Sequence, residues 1–163
     1  MQNRIDTIIK TLGMKPHPEG GYYVQMYQSS TMLSSPINSK TRHGLTHIYF
    51  LLTKGQISRW HKVLHDEVWN IYEGAPLRLL QFDGKCVEEK HLVSSSGGVT
   101  VSDINYFGII PGGYFQAAES TGEYTLVGCS VAPGFNFEDF SYIENKDVLA
   151  QINALGNDYF KFI

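Results

Sequence analysis

Short runs of β-favouring residues, each closed by a turn signal, fill the middle of this chain and constrain its fold more than any other feature. The runs are rich in Val, Ile, Leu, Tyr and Phe and cover residues 22–27, 46–53, 57–63, 67–72, 77–82, 85–92, 114–118 and 124–131. Gly, Pro, Asp and Ser fill the segments between them, including residues 94–98. Strands of this length, with a turn about every 8–12 residues, are typical of an all-β sandwich or barrel.

Two of the connecting segments carry a more specific prediction. Asp83-Gly84 predicts a tight type I′ hairpin, because both residues tolerate the positive φ that this turn requires. The polar, Ser-rich stretch from Ser29 to Ser39 predicts a loop of weak order.

Both ends of the chain have helical rather than strand-like spacing. Near the N-terminus, apolar residues at positions 5, 8, 9 and 12 form one stripe, and Gly13 is placed to end a short helix. Near the C-terminus, a second helix is expected over residues 145–155, with Gly156 beyond its end. Its apolar stripe comprises Val148, Leu149, Ile152 and Leu155.

Composition bounds the class of protein. The 163 residues are 42% apolar and carry a formal charge of −3, and no composition shift divides them, so a single domain over residues 1–163 is expected. A mildly acidic chain without a basic patch argues against nucleic acid as a partner. No secretory signal or membrane-length apolar run is visible, and the two cysteines are too few for a disulfide scaffold, so a cytoplasmic location is expected.

One pair of side chains has the spacing of a shared site. Arg59, His61 and Val63 alternate on one predicted strand, and Glu67 and Trp69 alternate on the next. If those faces point into a barrel, His61 and Glu67 meet inside it. A buried imidazole and carboxylate can bind a metal or act as an oriented general base.

The spacing around this pair resembles the two motifs of the cupin superfamily. Gly55, His61, Glu67 and Gly74 match the first motif, G-x5-H-x-H-x3,4-E-x6-G. Val63 stands where its second histidine belongs. In the second motif, Pro111 and Gly113 match, Gln116 replaces the final histidine, and Asn105 replaces the opening glycine. Two strong ligands and an amide make a poor zinc or iron site, so no metal cofactor is expected at His61, Glu67 and Gln116.

Longer blocks resemble the cupin-5 family, a largely uncharacterised group often labelled predicted sugar epimerase. They are residues 17–23 (HPEGGYY), 48–52 (IYFLL), 58–61 (SRWH), 66–69 (DEVW), 73–77 (EGAPL) and 131–140 (VAPGFNFEDF). The resemblance implies a cupin double-stranded β-helix, or jelly roll, with the N-terminal helix packed outside, and a homodimer. The epimerase label rests on likeness to metal-free cupins that use histidine as base and tyrosine as acid. His47, in the string RHGLTH, does not take the base role, because inserted residues break the spacing.

Five further residues are candidates for the pocket, each with a simpler structural interpretation. Tyr49 is a candidate acid or a buried aromatic. Glu19, in a Gly-rich turn, binds ligand or caps backbone amides. Trp69 offers a stacking surface or packs in the core. Arg42 and Arg59 are candidates for an anionic group, or are solvated surface residues.

These residues support three functions of different classes. The first is metal-independent epimerisation of a small polar ligand, such as a nucleotide-linked sugar, in which His61 oriented by Glu67 removes a proton and a tyrosine returns one. The second is ligand binding without catalysis, which the two missing histidines favour. The third is metal-dependent oxygenase or isomerase chemistry, which Val63 and Gln116 disfavour.

Overall fold

A computed structural model describes residues 2–95 and 104–163, so the turn predicted at residues 94–98 lies partly outside the described residues. Helices α1 to α3 span Gln2–Leu12, Lys146–Ala154 and Asn157–Phe160. Strands β1 to β5 span Lys15–Pro16, Tyr22–Gln28, Met32–Ser34, Thr41–His43 and Thr46–Thr53. Strands β6 to β9 span Ile57–Val63, Asp66–Gly74, Leu77–Phe82 and Val87–Leu92. Strands β10 to β13 span Phe107–Ile110, Phe115–Ser120, Tyr124–Ala132 and Phe140–Tyr142.

The strands form two large antiparallel sheets, and the chain crosses between them repeatedly. One sheet has the order β1-β2-β5-β12-β7-β10, and the other has the order β13-β6-β11-β8-β9. From β5 to β12 successive strands change sheet at every step except the β8–β9 hairpin. This is the double-stranded β-helix, or jelly roll, that the resemblance to the cupin-5 family implied.

Three apolar clusters hold the layers together. The residues between the sheets include Phe50, Leu52, Trp69 and Leu79, all at most 1% exposed. Outside the six-stranded sheet, α1 packs Ile5 and Ile8 against strands β5 and β12. Outside the five-stranded sheet, the C-terminal segment covers strands β6, β8 and β11. Each sheet therefore buries part of both its faces.

The observed helices at the two ends of the chain lie where they were predicted, but the C-terminal helix ends earlier than expected. Gly13 has φ 65° and follows α1, as predicted. Asn145 caps α2 by accepting from the backbone N–H of Asp147. Ile152 is fully buried, but Leu155, expected in the same apolar stripe, is 43% exposed, because α2 ends at Ala154 and the chain turns into α3.

Two predictions about connections are wrong. Asp83 does not have the positive φ of a type I′ turn, and strands β8 and β9 close instead around residues 83–86. The Asp83 carboxylate accepts from the backbone N–H groups of Lys85 and Cys86, which stabilises this longer loop. Within residues 29–39, expected to be a loop of weak order, Met32–Ser34 forms β3 and pairs with β4.

In the described part of the chain, no helix is long and apolar enough to cross a bilayer.

Candidate functional site

A cavity enclosing about 620 Å³, including its open mouth, lies between the two sheets at one end of the barrel. Strands β2, β5, β6, β7 and β12 contribute to its wall, together with the Gly-rich turn before β2 and the segment leading into β13. The lining side chains are His17, Glu19, Tyr23, Gln25, Thr46, Ile48, His61, Val63, Glu67, Cys129, Val131, Phe135, Phe137 and Phe140.

An extra residue in β6 determines which of its side chains reach the cavity. Gln116 of β11 pairs with His61, whereas Ala118, two residues later, pairs with Ser58, three residues earlier. This β-bulge breaks the alternation, so the prediction that Arg59 shares a face with His61 and Val63 is wrong. The Arg59 side chain is exposed and lies over the ring of Tyr142, with its Cζ 4.9 Å from the ring centre.

Gln116 joins the two residues that the sequence singled out. Its Nε2 lies 3.0 Å from His61 Nε2 and 2.5 Å from Glu67 Oε2, and all three side chains are buried. Trp69 donates its indole N–H to Gln116 Oε1 over 3.0 Å. Because an indole is only a donor, this bond fixes the amide orientation and makes Gln116 Nε2 the donor to both neighbours. His61 and Glu67 therefore meet inside the barrel, as predicted, but through Gln116.

The carboxylate that approaches the other nitrogen of His61 belongs to Glu19. Glu19 Oε2 is 2.7 Å from His61 Nδ1, which also lies 2.6 Å from the Arg59 carbonyl oxygen. The N–H points at the carbonyl, so Glu19 Oε2 is buried without a hydrogen bond. The sequence predicted that Glu67 would orient His61; in the structure the neighbour at Nδ1 is Glu19.

Glu19 reaches this position because of the turn that carries it. The backbone N–H of Arg59 donates to the Glu19 carbonyl, which places the turn beside the bulge in β6. Gly20 has φ 111°, and a Cβ there would lie 2.1 Å from the carbonyl oxygen of Ile57. Only glycine permits both this conformation and this contact. The Gly-rich motif thus serves to seat Glu19 against His61.

Burial and neighbouring charges separate the pKa values of the two carboxyls. Burial raises the pKa of Glu67 to about 7, although the Gln116 hydrogen bond and His61 oppose this change. Burial also acts to raise the pKa of Glu19, but the adjacent His61 outweighs it and the pKa is lowered. At neutral pH, Glu19 is ionised while Glu67 is divided between its two protonation states.

Two neighbours compete over the charge of His61. Burial acts to lower its pKa, but Glu19 outweighs burial and the pKa is raised. Gln116 favours the neutral ring, because its amide donates to Nε2 and would face a second donor if that nitrogen were protonated. Both nitrogens of His61 are therefore engaged within the protein.

His17 is a cavity residue that the sequence reasoning did not select. Its Nδ1 accepts from the backbone N–H of Glu19, which leaves Nε2 as the N–H donor of the neutral ring. Burial lowers the pKa of His17, so the ring is neutral at pH 7. The signal was its position two residues before Glu19 in the HPEGGYY block.

Three phenylalanines line one side of the cavity. Phe135 contacts Phe137 edge to face with ring centres 5.0 Å apart, and Phe140 stacks on His61 with ring centres 5.2 Å apart. Phe137 is 57% exposed. We call Phe135, Phe137 and Phe140 the aromatic wall. One of its rings, Phe140, covers a face of His61, and another, Phe137, is open to solvent.

Three of the other predicted site residues lie outside the cavity lining. Tyr49 points to the outer face of the six-stranded sheet, beneath α1, so it does not share a cavity with His61. Trp69 is 1% exposed within the core and reaches the site only through Gln116. Arg42 is paired with Asp139, with Nε 2.6 Å from Oδ2 and Nη2 2.8 Å from Oδ1.

The donor set fits a metal ion poorly. The Gln116 amide nitrogen, which cannot act as a ligand, faces both His61 Nε2 and Glu67 Oε2 and occupies the space where an ion would sit. Over residues 2–95 and 104–163, no group of three or more His, Cys, Asp and Glu side chains has an arrangement suited to a metal. The acids and bases of the site are therefore its own side chains, Glu19, His61, Glu67 and His17.

Comparison with known proteins places this arrangement in a family. The family model Cupin_5, described as Cupin superfamily (DUF985), matches residues 6–143. An uncharacterized protein of Saccharomyces cerevisiae, YML079W, is 28% identical over 152 residues, covering 83% of this chain and 73% of the yeast protein.

Two solved structures are similar over nearly their full length. Protein SO0799 from Shewanella oneidensis is 28% identical with a TM-score of 0.80, covering 96% of this chain and 94% of its own. A hypothetical protein from Leishmania major is 27% identical with a TM-score of 0.78, covering 97% and 95%.

Proposed function

The chain belongs to the Cupin_5 family of the cupin superfamily, and from that premise we propose that its cavity binds a small polar molecule and exchanges a proton with it. The reaction is the central step of a metal-independent sugar epimerase or isomerase, removal and return of a proton beside a carbonyl group. One observation carries the proposal. Glu67 is a buried carboxyl that lines the cavity; its Oε2 is held by Gln116, while its Oε1 has no hydrogen-bond partner among the described residues.

Glu67 is better placed as the base than His61. Both ring nitrogens of His61 are engaged, whereas Glu67 retains a free oxygen. A general base works best when its pKa lies near the operating pH, and the pKa of Glu67, about 7, meets this condition. His61 and Glu19 then form a fixed pair beside the base.

Two other cavity residues complete the set that such a reaction needs. When Glu67 accepts the proton from carbon, the electron pair moves to the carbonyl oxygen, which needs a hydrogen-bond donor. The neutral ring of His17 supplies an N–H at Nε2. Tyr23 lines the cavity and replaces Tyr49 as the candidate tyrosine acid that returns a proton.

Binding without catalysis is the second candidate, and the hydrogen bonds of His61 favour it. A residue fixed at Nδ1 by a backbone carbonyl and at Nε2 by an amide contributes shape and charge to a binding pocket without transferring a proton. Such a protein gains stability when the ligand binds, by mass action, and shows no turnover.

Exchange with heavy water separates these two functions. The protein is incubated in D₂O with a panel of keto sugars and their nucleotide-linked forms, and the proton beside the carbonyl is followed by NMR. We expect its signal to disappear, and we expect Glu67→Gln to slow this exchange at least about a hundredfold. Glu123→Gln is the matched control, because Glu123 pairs with Lys54 on the surface. Absence of exchange for sugars that demonstrably bind would establish the binding function instead.

The sequence also led us to propose a homodimer, a single domain and a cytoplasmic location. Light scattering at micromolar concentration tests the first, since a mass of 18.4 kDa would identify a monomer. Limited proteolysis tests the second, because separate domains would yield separate stable fragments. Fractionation of cells that express the protein tests the third.

A further inference from the structure

The charges that line the cavity are unusual for a site that receives a nucleotide or a phosphorylated sugar. Its titratable side chains are His17, Glu19, Tyr23, His61, Glu67 and Cys129. Among residues 2–95 and 104–163, no Lys or Arg lines it. Proteins bind phosphate through guanidinium or ammonium groups, or through backbone N–H groups at helix termini. The cavity provides carboxyls where such a ligand needs positive charge.

The two arginines that the sequence offered for an anionic group are directed elsewhere. Arg42 is committed to Asp139 through two short hydrogen bonds, and it also lies 3.3 Å from Glu138. The Arg59 side chain is exposed and stacks over Tyr142. A phosphate that entered the cavity would lose its hydration beside Glu67 and Glu19. The ring of His61, whose pKa is raised, already lies 2.7 Å from Glu19 and pairs with that carboxylate.

One carboxylate oxygen in the cavity lacks a donor. Glu67 Oε1 accepts no hydrogen bond from any described residue, whereas Glu19 Oε2 is buried against His61. A buried carboxylate normally accepts several hydrogen bonds, so Glu67 Oε1 calls for a donor from a ligand. A protonated amine carries up to three N–H donors and a charge opposite to that of the carboxylate.

The aromatic wall favours the same kind of ligand. Phe135 and Phe137 pack edge to face, and Phe137 is largely exposed. The face of an aromatic ring attracts a cation, and it also covers the apolar body of a ligand. A charged head beside the carboxyls and an apolar body against the wall would use both features of the cavity.

We propose that the natural ligand of this cavity carries a protonated amine and no phosphate, with the nitrogen held by Glu67 Oε1 and the body packed against the aromatic wall. This inference rests on the proposed function only in using the same cavity. It narrows the substrate class from polar small molecules in general to amines such as amino sugars.

Two matched series of small molecules test this charge preference without any need for turnover. The first is benzylamine, benzyl alcohol and benzyl phosphate, and the second is glucosamine, glucose and glucose 6-phosphate. Binding to the full chain is measured by calorimetry at pH 7.5. In each series for which binding is detected, we expect the amine to bind at least about tenfold more tightly than the alcohol or the parent sugar. The phosphate should give no measurable heat.

Variants then assign the preference to the cavity. Glu67→Gln should reduce amine binding about tenfold and leave binding of the matched neutral molecule within about twofold, since only the amine needs the charge. Glu123→Gln, a surface change of the same kind, should alter neither. Circular dichroism checks that both variants fold. If Glu67→Gln does not fold, the ranking of the ligands on the unmodified chain still tests the preference for an amine.

Three results would overturn the proposal: a phosphate that binds more tightly than its neutral partner, equal binding of amine and neutral molecule, or no binding of either amine. Each is distinguishable from failure of the proposed function, because the binding measurement does not depend on proton exchange. A protein that ranks the amines first but exchanges no deuterium would be a binding protein for amines.

Discussion

The two ends of the barrel interior are built from the same strands but are filled in opposite ways. On β5, Phe50 and Leu52 pack into a closed apolar core, whereas Thr46 and Ile48 face the cavity. On β7, Glu67 faces the cavity, and Ile71, four residues further, packs in the core. At one end, apolar side chains fill the space between the sheets, and at the other, polar groups and the aromatic wall surround an open cavity.

One hydrogen bond connects the apolar core to the polar network of the cavity. The ring of Trp69 packs in the apolar core, while its N–H holds Gln116, whose amide contacts His61 and Glu67. The core therefore does more than stabilise the fold, since it fixes the orientation of a polar network that lies beyond it. The cavity end buries a carboxyl whose pKa is raised, a cost that the packed end offsets.

The largest expected effect on stability comes from truncating a core residue of β5, and a residue at the cavity end of the same strand provides the comparison. Leu52→Ala should cost about 3 kcal/mol of unfolding free energy, because it leaves a void in the closed core. Ile48→Ala should cost about 1 kcal/mol, because it enlarges a space that is already open. Urea denaturation of both variants measures the difference. Equal costs would mean that the two ends are packed alike.

The second effect concerns pH. The pKa of Glu67 is about 7 in the folded protein against an ordinary 4.5, so between these values the folded state holds more protons than the unfolded one. Its contribution therefore makes the protein less stable as pH rises from 4.5 to 7 and is constant above that range. Glu67→Gln should remove this loss. The unfolding free energy of the variant, relative to that of the original chain, should therefore rise by on the order of 2–3 kcal/mol as the pH goes from 5 to 8.

Denaturation of both proteins across this pH range provides the measurement. His61, whose raised pKa gives the same sign of dependence, remains in both proteins, so the difference between the curves isolates Glu67. Parallel curves would mean that Glu67 has an ordinary pKa and that the cavity end does not bury it as a neutral acid.

The smallest effect tests the hydrogen bond between Trp69 and Gln116. Trp69→Phe keeps an aromatic ring in the core but removes the N–H that orients Gln116, and we expect a cost of about 1–2 kcal/mol. The amide is then free to turn its oxygen toward Glu67, which should raise the pKa of that carboxyl further. The midpoint of the pH dependence of stability should move upward.

A matched control is available at the second buried tryptophan. Trp60 is also 1% exposed, but its N–H donates to the Tyr159 carbonyl outside the five-stranded sheet. Trp60→Phe should cost a similar free energy and leave the pH midpoint unchanged. If both variants move the midpoint, or neither does, Trp69 does not position the network.

Much of the fold could be predicted from the sequence because its signals are local. Short apolar runs between turn residues gave the strands of the barrel, and the stripe through Ile5 and Ile8 gave α1 with its end at Gly13. Strand β13 and the helix α3 were not predicted, since both depend on packing against β6 and its neighbours. The type I′ turn failed because the Asp83 side chain stabilises a longer loop.

The site was predictable in part for the same reason. Strand alternation predicted that His61 and Glu67 meet, and the resemblance to the cupin motifs implied that Gln116 joins them, as the structure shows. The bulge at Arg59 has no strong sequence signal, so the face of that side chain was assigned wrongly. Tyr23 and Tyr49 lie on paired strands, and the register decides which one faces the cavity: Tyr23 pairs with the inward Phe50, whereas Tyr49 pairs with Val24 on the outer face beneath α1.

The sequence by itself determined the class of fold, the strand pattern and the identity of the polar pair, since these follow from periodicity and spacing along the chain. The tertiary structure decided the partners: Glu19 rather than Glu67 beside His61 Nδ1, Gln116 as the bridge, and Arg42 outside the cavity. The physical reason is distance along the chain. Glu19 and His61 lie 42 residues apart, and their contact depends on a turn that Gly20 alone can make against Ile57. Local pattern cannot encode such a contact.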